Sequence, residues 1–290
     1  MHHHQTSHNL RVAFFLNLGF TLAEIIGGLY TNSIAILSDA VHDLGDSISL
    51  GMAWYLENLS HRKSDDRFTY GYRRFSLLGA LLTTSILLIG SILILIEALP
   101  RLISPQVTNA RGMVVFAVVG ILVNGIAVLR LRHDETMNAR AVAWHLLEDV
   151  LGWVAVLVVS VVLLFRPFYI LDAILSIGIT MYIAWNVVAN LRKTLALFLQ
   201  GVPENIDIDD VDERLRAIPD VQSTHHTHIW SLDGEHHVLT THVVVEESLS
   251  KESILCLRSE LQELLNSLAF SHSTIEIEFG DGDCGMAAAD

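Results

Sequence analysis

The chain has 290 residues, 51% hydrophobic and 17% charged, with a net charge of −14 and a mean hydropathy of +0.45. Soluble globular chains carry about 25% charged residues, so an ordinary water-soluble protein is excluded; 5 Pro, 18 Gly and 2 Cys exclude collagen-like, disordered and disulfide-scaffold classes. The charge is divided, +1 over residues 1–200 and −15 over residues 201–290, which separates an apolar body from an acidic soluble tail and argues against nucleic acid as a partner.

Residues 1–9 read as a His-rich N-terminal cytoplasmic tail, with no basic stretch, apolar run and cleavage site of the kind that makes a signal peptide. A bilayer span needs about 20 mostly apolar residues. Six segments qualify: Leu10–Tyr30, Ser33–Leu56, Phe75–Leu99, Gly112–Leu131, Ala139–Phe165 and Phe168–Leu191, so residues 10–200 are expected to form a six-helix transmembrane domain. Six spans leave both ends on one side. One face of this topology receives 11 Lys and Arg and the other receives 3. The positive-inside rule then predicts a multi-pass integral membrane protein with both termini in the cytoplasm, at the inner membrane in a bacterium.

Residues 201–281 read as a small cytoplasmic α+β domain of order α-β-β-α-β, and 282–290 as a flexible C-terminal tail. Ile208–Ile218 has helical spacing. Val221–Trp230 and His236–Glu246 are strand-like and meet at Asp233-Gly234, a two-residue hairpin signal. Ser250 is placed to cap a helix with an apolar stripe from Ile254 to Leu268, which puts Cys256 among core positions, and Ser273–Phe279 supplies a last strand. The carboxylates from Glu204 to Glu213 serve to cap and solvate the first helix.

Ionisable side chains at bilayer depth cost on the order of 3 kcal/mol each, which marks them as functional. The second segment carries Asp39, His42, Asp43 and Asp46, and the fifth carries His145, Glu148 and Asp149. His-x-x-x-Asp occurs in both, and a spacing of four puts both side chains on one helix face. Two imidazoles and two carboxylates, His42, Asp46, His145 and Asp149, suit a tetrahedral site for a borderline divalent cation, Zn2+ first. Imidazole titrates near 6.5, so protons compete with metal there, as an antiporter requires. Asp39 shares the face of His42 while Asp43 is turned from it; both, with Glu24 and Asn124, stand as supporting or packing groups. Glu148 stands as lining or partner to a base, and Asp172 as interfacial. A passive metal channel or a metal-sensing membrane protein remains the alternative. An intramembrane metallohydrolase, which wants His-Glu-x-x-His, finds no such motif, so the chain is not read as an enzyme.

Glu24-Ile-Ile-Gly27-Gly28, the run Ser33 to Asp46, Tyr70-Gly71-Tyr72-Arg73-Arg74, His145-Leu-Leu-Glu148-Asp149 and His228-Ile229-Trp230-Ser231-Leu232, in this order, resemble the cation diffusion facilitator family of metal transporters over nearly the whole chain. The resemblance implies six transmembrane helices, a cytoplasmic ferredoxin-like domain, a homodimer in membrane lipid, and proton-coupled efflux of Zn2+, with Cd2+ left open, by alternating access. It places the four-ligand site on His42, Asp46, His145 and Asp149, and His42 resembles the zinc-selective branch. Glu148 stands where many relatives have a small residue. In the tail it implies a second metal, structural or regulatory, at His225, His242 and Glu278, with His272 or Glu276 as additions; Cys284 is either a further donor or a plain surface thiol. Strand alternation puts His226 and His228 on one face of their strand and His225 and Thr227 on the other. The metal site that some members hold in the loop after the second helix is expected to be missing, since Asp65–Tyr72 has no His; the basic residues there meet headgroups or orient the helix.

Overall fold

The computed structural model describes residues 2–60, 64–131, 137–280 and 284. The chain forms two compact units, Met1–Leu59 with Gly79–Leu191, and Ser60–Leu78 with Arg192–Asp290.

Six long helices build the first unit and lead out of it: α1 His2–Thr31, α2 Ile34–Ser60, α3 Phe75–Ile103, α4 Ala110–Leu131, α5 Met137–Phe165 and α6 Ile170–Phe198. Away from its ends a helix pairs its backbone groups within its own segment, the condition for running through hydrocarbon. Five are long and apolar enough to cross a membrane; α2 is of similar length but is interrupted by Asp39, Asp43 and Asp46. Most run past the apolar stretches read from the sequence, and α1 is already helical at His2, within the stretch expected as a tail. Small residues let the helices approach. A side chain at Gly120 on α4 would collide with the indole of Trp153 on α5, and this indole joins Ala35, Ile36, Met113, Ala117 and Val156 in the core of the unit.

A polar clasp closes the unit at the start of α2. Asp172, on α6, is 1% exposed rather than interfacial. Its carboxylate accepts from Ser33 Oγ at 2.5 Å, Ile34 N at 2.8 Å and Ala35 N at 3.4 Å, and so caps first-turn N–H groups that have no partner within their own helix. Arg101 of α3 donates to the Asn32 carbonyl at 2.9 Å and to Asn32 Oδ1 at 3.1 Å. Both α3 and α6 are thereby tied to the α1–α2 turn. Water would serve a surface carboxylate equally well; burial is what makes Asp172 dependent on these donors.

The second unit contains the α+β domain: α7 Ile208–Arg216, β1 Val221–Ser231, β2 His237–Val245, α8 Lys251–Ser267 and β3 Phe270–Phe279. The sheet order is β1-β2-β3, antiparallel between β1 and β2 and parallel between β2 and β3. Val211 and Leu215 of α7 and Leu257, Leu261 and Leu265 of α8 share one core with Ile229, Leu239, Val243 and Val245 of the strands. Asp207 accepts from Asp209 N and Ser250 from Ser253 N, capping α7 and α8 as their spacing suggests. Two expectations are corrected. The β1–β2 connection is a longer loop, because Asp233 Oδ1 takes the N–H groups of Glu235 and His236 and Gly234 adopts φ +101°. Cys256 is exposed, one position off the stripe that Leu257 and Leu261 bury.

In the loop before α3, Asp65 accepts from Arg67 N, Phe68 N and the Tyr72 hydroxyl. Arg74 donates to the Phe198 carbonyl at 3.2 Å and Arg73 lies 4.0 Å from Asp233. These two guanidiniums therefore bind protein groups of their own unit. Arg62 and Lys63 lie outside the described residues.

Candidate metal centres

The regular turn of α2 brings His42 and Asp46 onto one face, and α5 does the same for His145 and Asp149. The two faces meet. His145 Nε2 lies 2.8 Å from Asp46 Oδ2, and His42 Nε2 lies 3.9 Å from Asp46 Oδ2 and 3.8 Å from Asp149 Oδ1. The imidazole centroids are 5.5 Å apart. His42, Asp46 and His145 offer donor atoms within 4.8 Å of one another, and Asp149 approaches this group through His42. A tetrahedral Zn2+ with bonds of about 2.0–2.1 Å keeps its donor atoms about 3.4 Å apart. The His145–Asp46 and His42–Asp46 separations bracket that value, while Asp149 stands 3.8 Å from His42 Nε2 and outside the group of three whose donors all lie within 4.8 Å.

All four side chains line a cavity of about 810 Å³ together with Asp39 and Glu148. Glu148 is exposed to it, with the Tyr182 hydroxyl 3.5 Å from Oε1. Asp43 is turned away, as its position 100° from His42 requires; it is 6% exposed, and its carbonyl accepts from Asn17 Nδ2. Glu24 is 1% exposed, with its carboxyl against that of Asp43 and within electrostatic reach of Asp39. Asn124 is buried. The far wall of the cavity was not anticipated. Thr83 and Thr84 of α3 and Tyr182, Asn186 and Asn190 of α6 supply polar atoms there. The spacing of the three α6 residues, i, i+4 and i+8, is the same helical signal that marks the His/Asp pairs.

The second cluster is built on strands. The register pairs His225 with His242, and β3 runs beside β2 so that Glu276 and Glu278 follow one another along the same edge. His225 Nε2 lies 3.0 Å from Glu278 Oε2, His242 Nδ1 2.7 Å from Glu278 Oε1, and Cys284 Sγ 3.5 Å from His242 Nδ1. His225, His242, Glu278 and Cys284 offer donors within 4.8 Å of one another. Glu276 reaches the other nitrogen of His242 at 3.5 Å, whereas His272 lies beside Val238 and packs on Tyr70. Burial alone raises the Glu278 carboxyl; the hydrogen bonds from His242 and Cys284 and the neighbouring imidazoles outweigh it and hold the carboxyl below its ordinary range.

Simple alternation fails in β1. Between His225 and His228 the register slips, two residues opposing one, and His226 sits at φ 49°. This is a β-bulge, which re-phases the strand. His228 now pairs with Thr240, two residues from His242, and so joins the face of His225. The His226 ring lies 5.2 Å from that of His225 and 5.4 Å from that of His242, while Thr227 points to Thr241 and Asp212.

Comparison with known proteins gives a consistent result. Residues 10–199 match the cation efflux transmembrane domain, and residues 203–279 match the cytoplasmic domain of cation efflux proteins. The chain is 34% identical over 291 residues to the zinc transporter ZitB of Yersinia pseudotuberculosis, covering 98% of this chain and 92% of that protein. It is 31% identical to the metal cation efflux system protein CzcD of Cupriavidus metallidurans, covering 97% and 89%. It is 29% identical to the cadmium, cobalt and zinc/H(+)-K(+) antiporter of Bacillus subtilis, covering 96% and 91%. The metal-bound C-terminal domain of the CzcD transporter aligns with 25% of this chain and 99% of its own, at 32% identity and a TM-score of 0.23.

Proposed function

The chain belongs to the cation efflux family, as an integral membrane protein rather than an enzyme, and we propose that His42, Asp46, His145 and Asp149 carry its cargo, Zn2+ foremost, out of the cytoplasm in exchange for protons. One observation carries this reading: two His-x-x-x-Asp faces from different helices converge inside a cavity of about 810 Å³. The donors are borderline nitrogen and hard oxygen with no sulfur, a set suited to Zn2+ over Cu+. Each imidazole and carboxylate that releases metal takes up a proton, which links outward metal flow to inward proton flow. Cd2+ is a second cargo by the same donor chemistry.

In this reading all six helices span the bilayer, with Asp39 and Asp46 of α2 facing the cavity and Asp43 buried beside α1 rather than facing lipid. The distribution of Lys and Arg, 11 against 3, puts both termini in the cytoplasm. The family's cytoplasmic domain supports a homodimer, with boundaries near residues 10–200 and 201–281. His225, His242 and Glu278, now joined by Cys284, form a regulatory metal site. An ion bound there offsets part of the −15 charge of each tail and draws the paired domains together. Unchanged small-angle scattering of the dimer on adding Zn2+ would overturn that role.

The transport reading is tested by Zn2+ uptake into proteoliposomes under an imposed pH gradient. Wild type concentrates Zn2+ and alkalinises the lumen in step, since protons leave as metal enters; Asp149→Ala and Asp46→Ala do neither. Full transport by Asp149→Ala refutes the ligand assignment. Zn2+ movement with no proton counter-movement identifies a passive channel instead.

A further inference from the structure

The metal cavity does not end at the four ligands. One helical turn towards the start of α2, at i−3 from His42, Asp39 also lines it. Its side chain is 6% exposed, and Oδ2 has no hydrogen-bond partner among the described residues. On α5 the matching step, i+3 from Asp149, is Gly152, which lines the same cavity. The helices run in opposite directions here, so the two residues share one layer, about 4.5 Å along the helix axis from the ligand layer. A β-carbon at Gly152 would stand 3.7 Å from Asp39 Oδ1. With hydrogen there instead, the carboxylate faces open space. Beyond this layer the unit is closed by Ile34, Ala35, Ile36 and Val156, each 0% exposed, and by the clasp of Asp172.

A buried carboxylate oxygen with no donor costs free energy comparable to a lost hydrogen bond or more. Among the described residues no hydrogen bond to Asp39 Oδ2 accounts for its burial. The geometry points to a second, transient seat for the divalent cation: Asp39 receives the ion from the four-ligand site on its way to the closed end, in the space that Gly152 leaves. This inference rests on the four-ligand reading above and adds a step to it. A single carboxylate with room for water binds Zn2+ or Cd2+ weakly, which is what passage demands, since a tight second site would hold the ion. Asp46 lies on the opposite side of His42 by one turn, so the ion passes from a set with imidazole donors to one with oxygen donors alone.

The test separates binding from throughput. Asp39→Asn keeps size and shape and removes the charge; Gly152→Ala sets a methyl against Asp39 Oδ1, where the ion would sit, and keeps Asp39. Purified full-length protein in detergent micelles is titrated with Zn2+ against a chromophoric chelator, and proteoliposome transport is measured over a range of Zn2+. Asp149→Asn is carried alongside and defines the binding class that belongs to the four ligands. The expected result is that both variants keep the affinity of that class within about threefold and lose about tenfold or more in maximal rate, with KM unchanged. Maximal rates within twofold of wild type in both overturn the seat. Loss of the binding class in Asp39→Asn also overturns it, because Asp39 then belongs to or supports the first site; should this variant fail to fold, Gly152→Ala decides by the same split. Failure of the underlying reading shows differently, as retained binding and transport in Asp149→Asn.

Discussion

The two donor clusters use nearly the same side chains on different scaffolds. In the helical unit each half of the set rides on its own helix, and the halves touch through single contacts, His145 to Asp46 and His42 to Asp149. In the C-terminal domain His225, His242 and Glu278 sit on three adjacent strands, held by ladder pairing on either side of the β1 bulge. A site split between two helices changes shape when one helix tilts. A site stitched across a sheet keeps its shape until the sheet breaks. The first arrangement suits an ion that must be released, the second an ion that must be retained.

The largest expected effect tests the helical set. Asp46→Ala removes the carboxylate that contacts both imidazoles and should cut transport by at least ~100-fold, read as Zn2+ flux in proteoliposomes. His242→Ala, the hub of the tail cluster, should weaken tail binding by about tenfold or more in Zn2+ titrations while lowering flux far less. Equal losses of flux in both variants would erase the distinction between carrying and sensing. Cys284→Ser exchanges a soft donor for a hard one, so the tail's Cd2+ affinity should fall about tenfold and its Zn2+ affinity by less. Asp172→Ala leaves the start of α2 without its cap and should cost about 0.5–2 kcal/mol in thermal unfolding of the full chain, whereas the sheet-borne cluster should not notice it. The smallest effect concerns acid. Burial holds the His237 imidazole below its ordinary value against the pull of Asp233. The unfolded chain then binds a proton that the folded domain refuses, so stability should fall as pH drops through about 6.5. His237→Gln should flatten that slope in unfolding measured from pH 7 to 5.

Local spacing made much of this readable in advance. His42/Asp46 and His145/Asp149 repeat at four residues, and the periodicity of an uninterrupted helix turns spacing directly into position. Asp207 and Ser250 cap their helices for the same reason, as neighbours in sequence. What the sequence hid depends on distant partners. Asp172 lies near the start of an apolar run, where a carboxylate ordinarily meets water; only the arrival of the α2 N-terminus, 138 residues away, explains its burial. Cys256 belongs by spacing beside Leu257, yet the sheet covers only a narrow arc of α8 and leaves Cys256 outside it. The far wall of the cavity, Tyr182, Asn186 and Asn190, had the spacing but no ligand-type side chain to draw attention to it.

The bulge in β1 has one further consequence. It makes the tail sensitive to chain length at a single point. Deleting one of His226 and Thr227 leaves a single residue opposite Thr241 and keeps every downstream pairing, whereas deleting both makes every residue to Ser231 flip face or shift against β2. Ile229 would trade its place in the core for solvent, and His228 would leave the side of His242. Point substitutions at Thr227 are borne by two hydroxyl bonds alone, to Asp212 and Thr241. Among relatives of this chain, the segment between His225 and His228 should therefore accept the loss of one residue more readily than the loss of both.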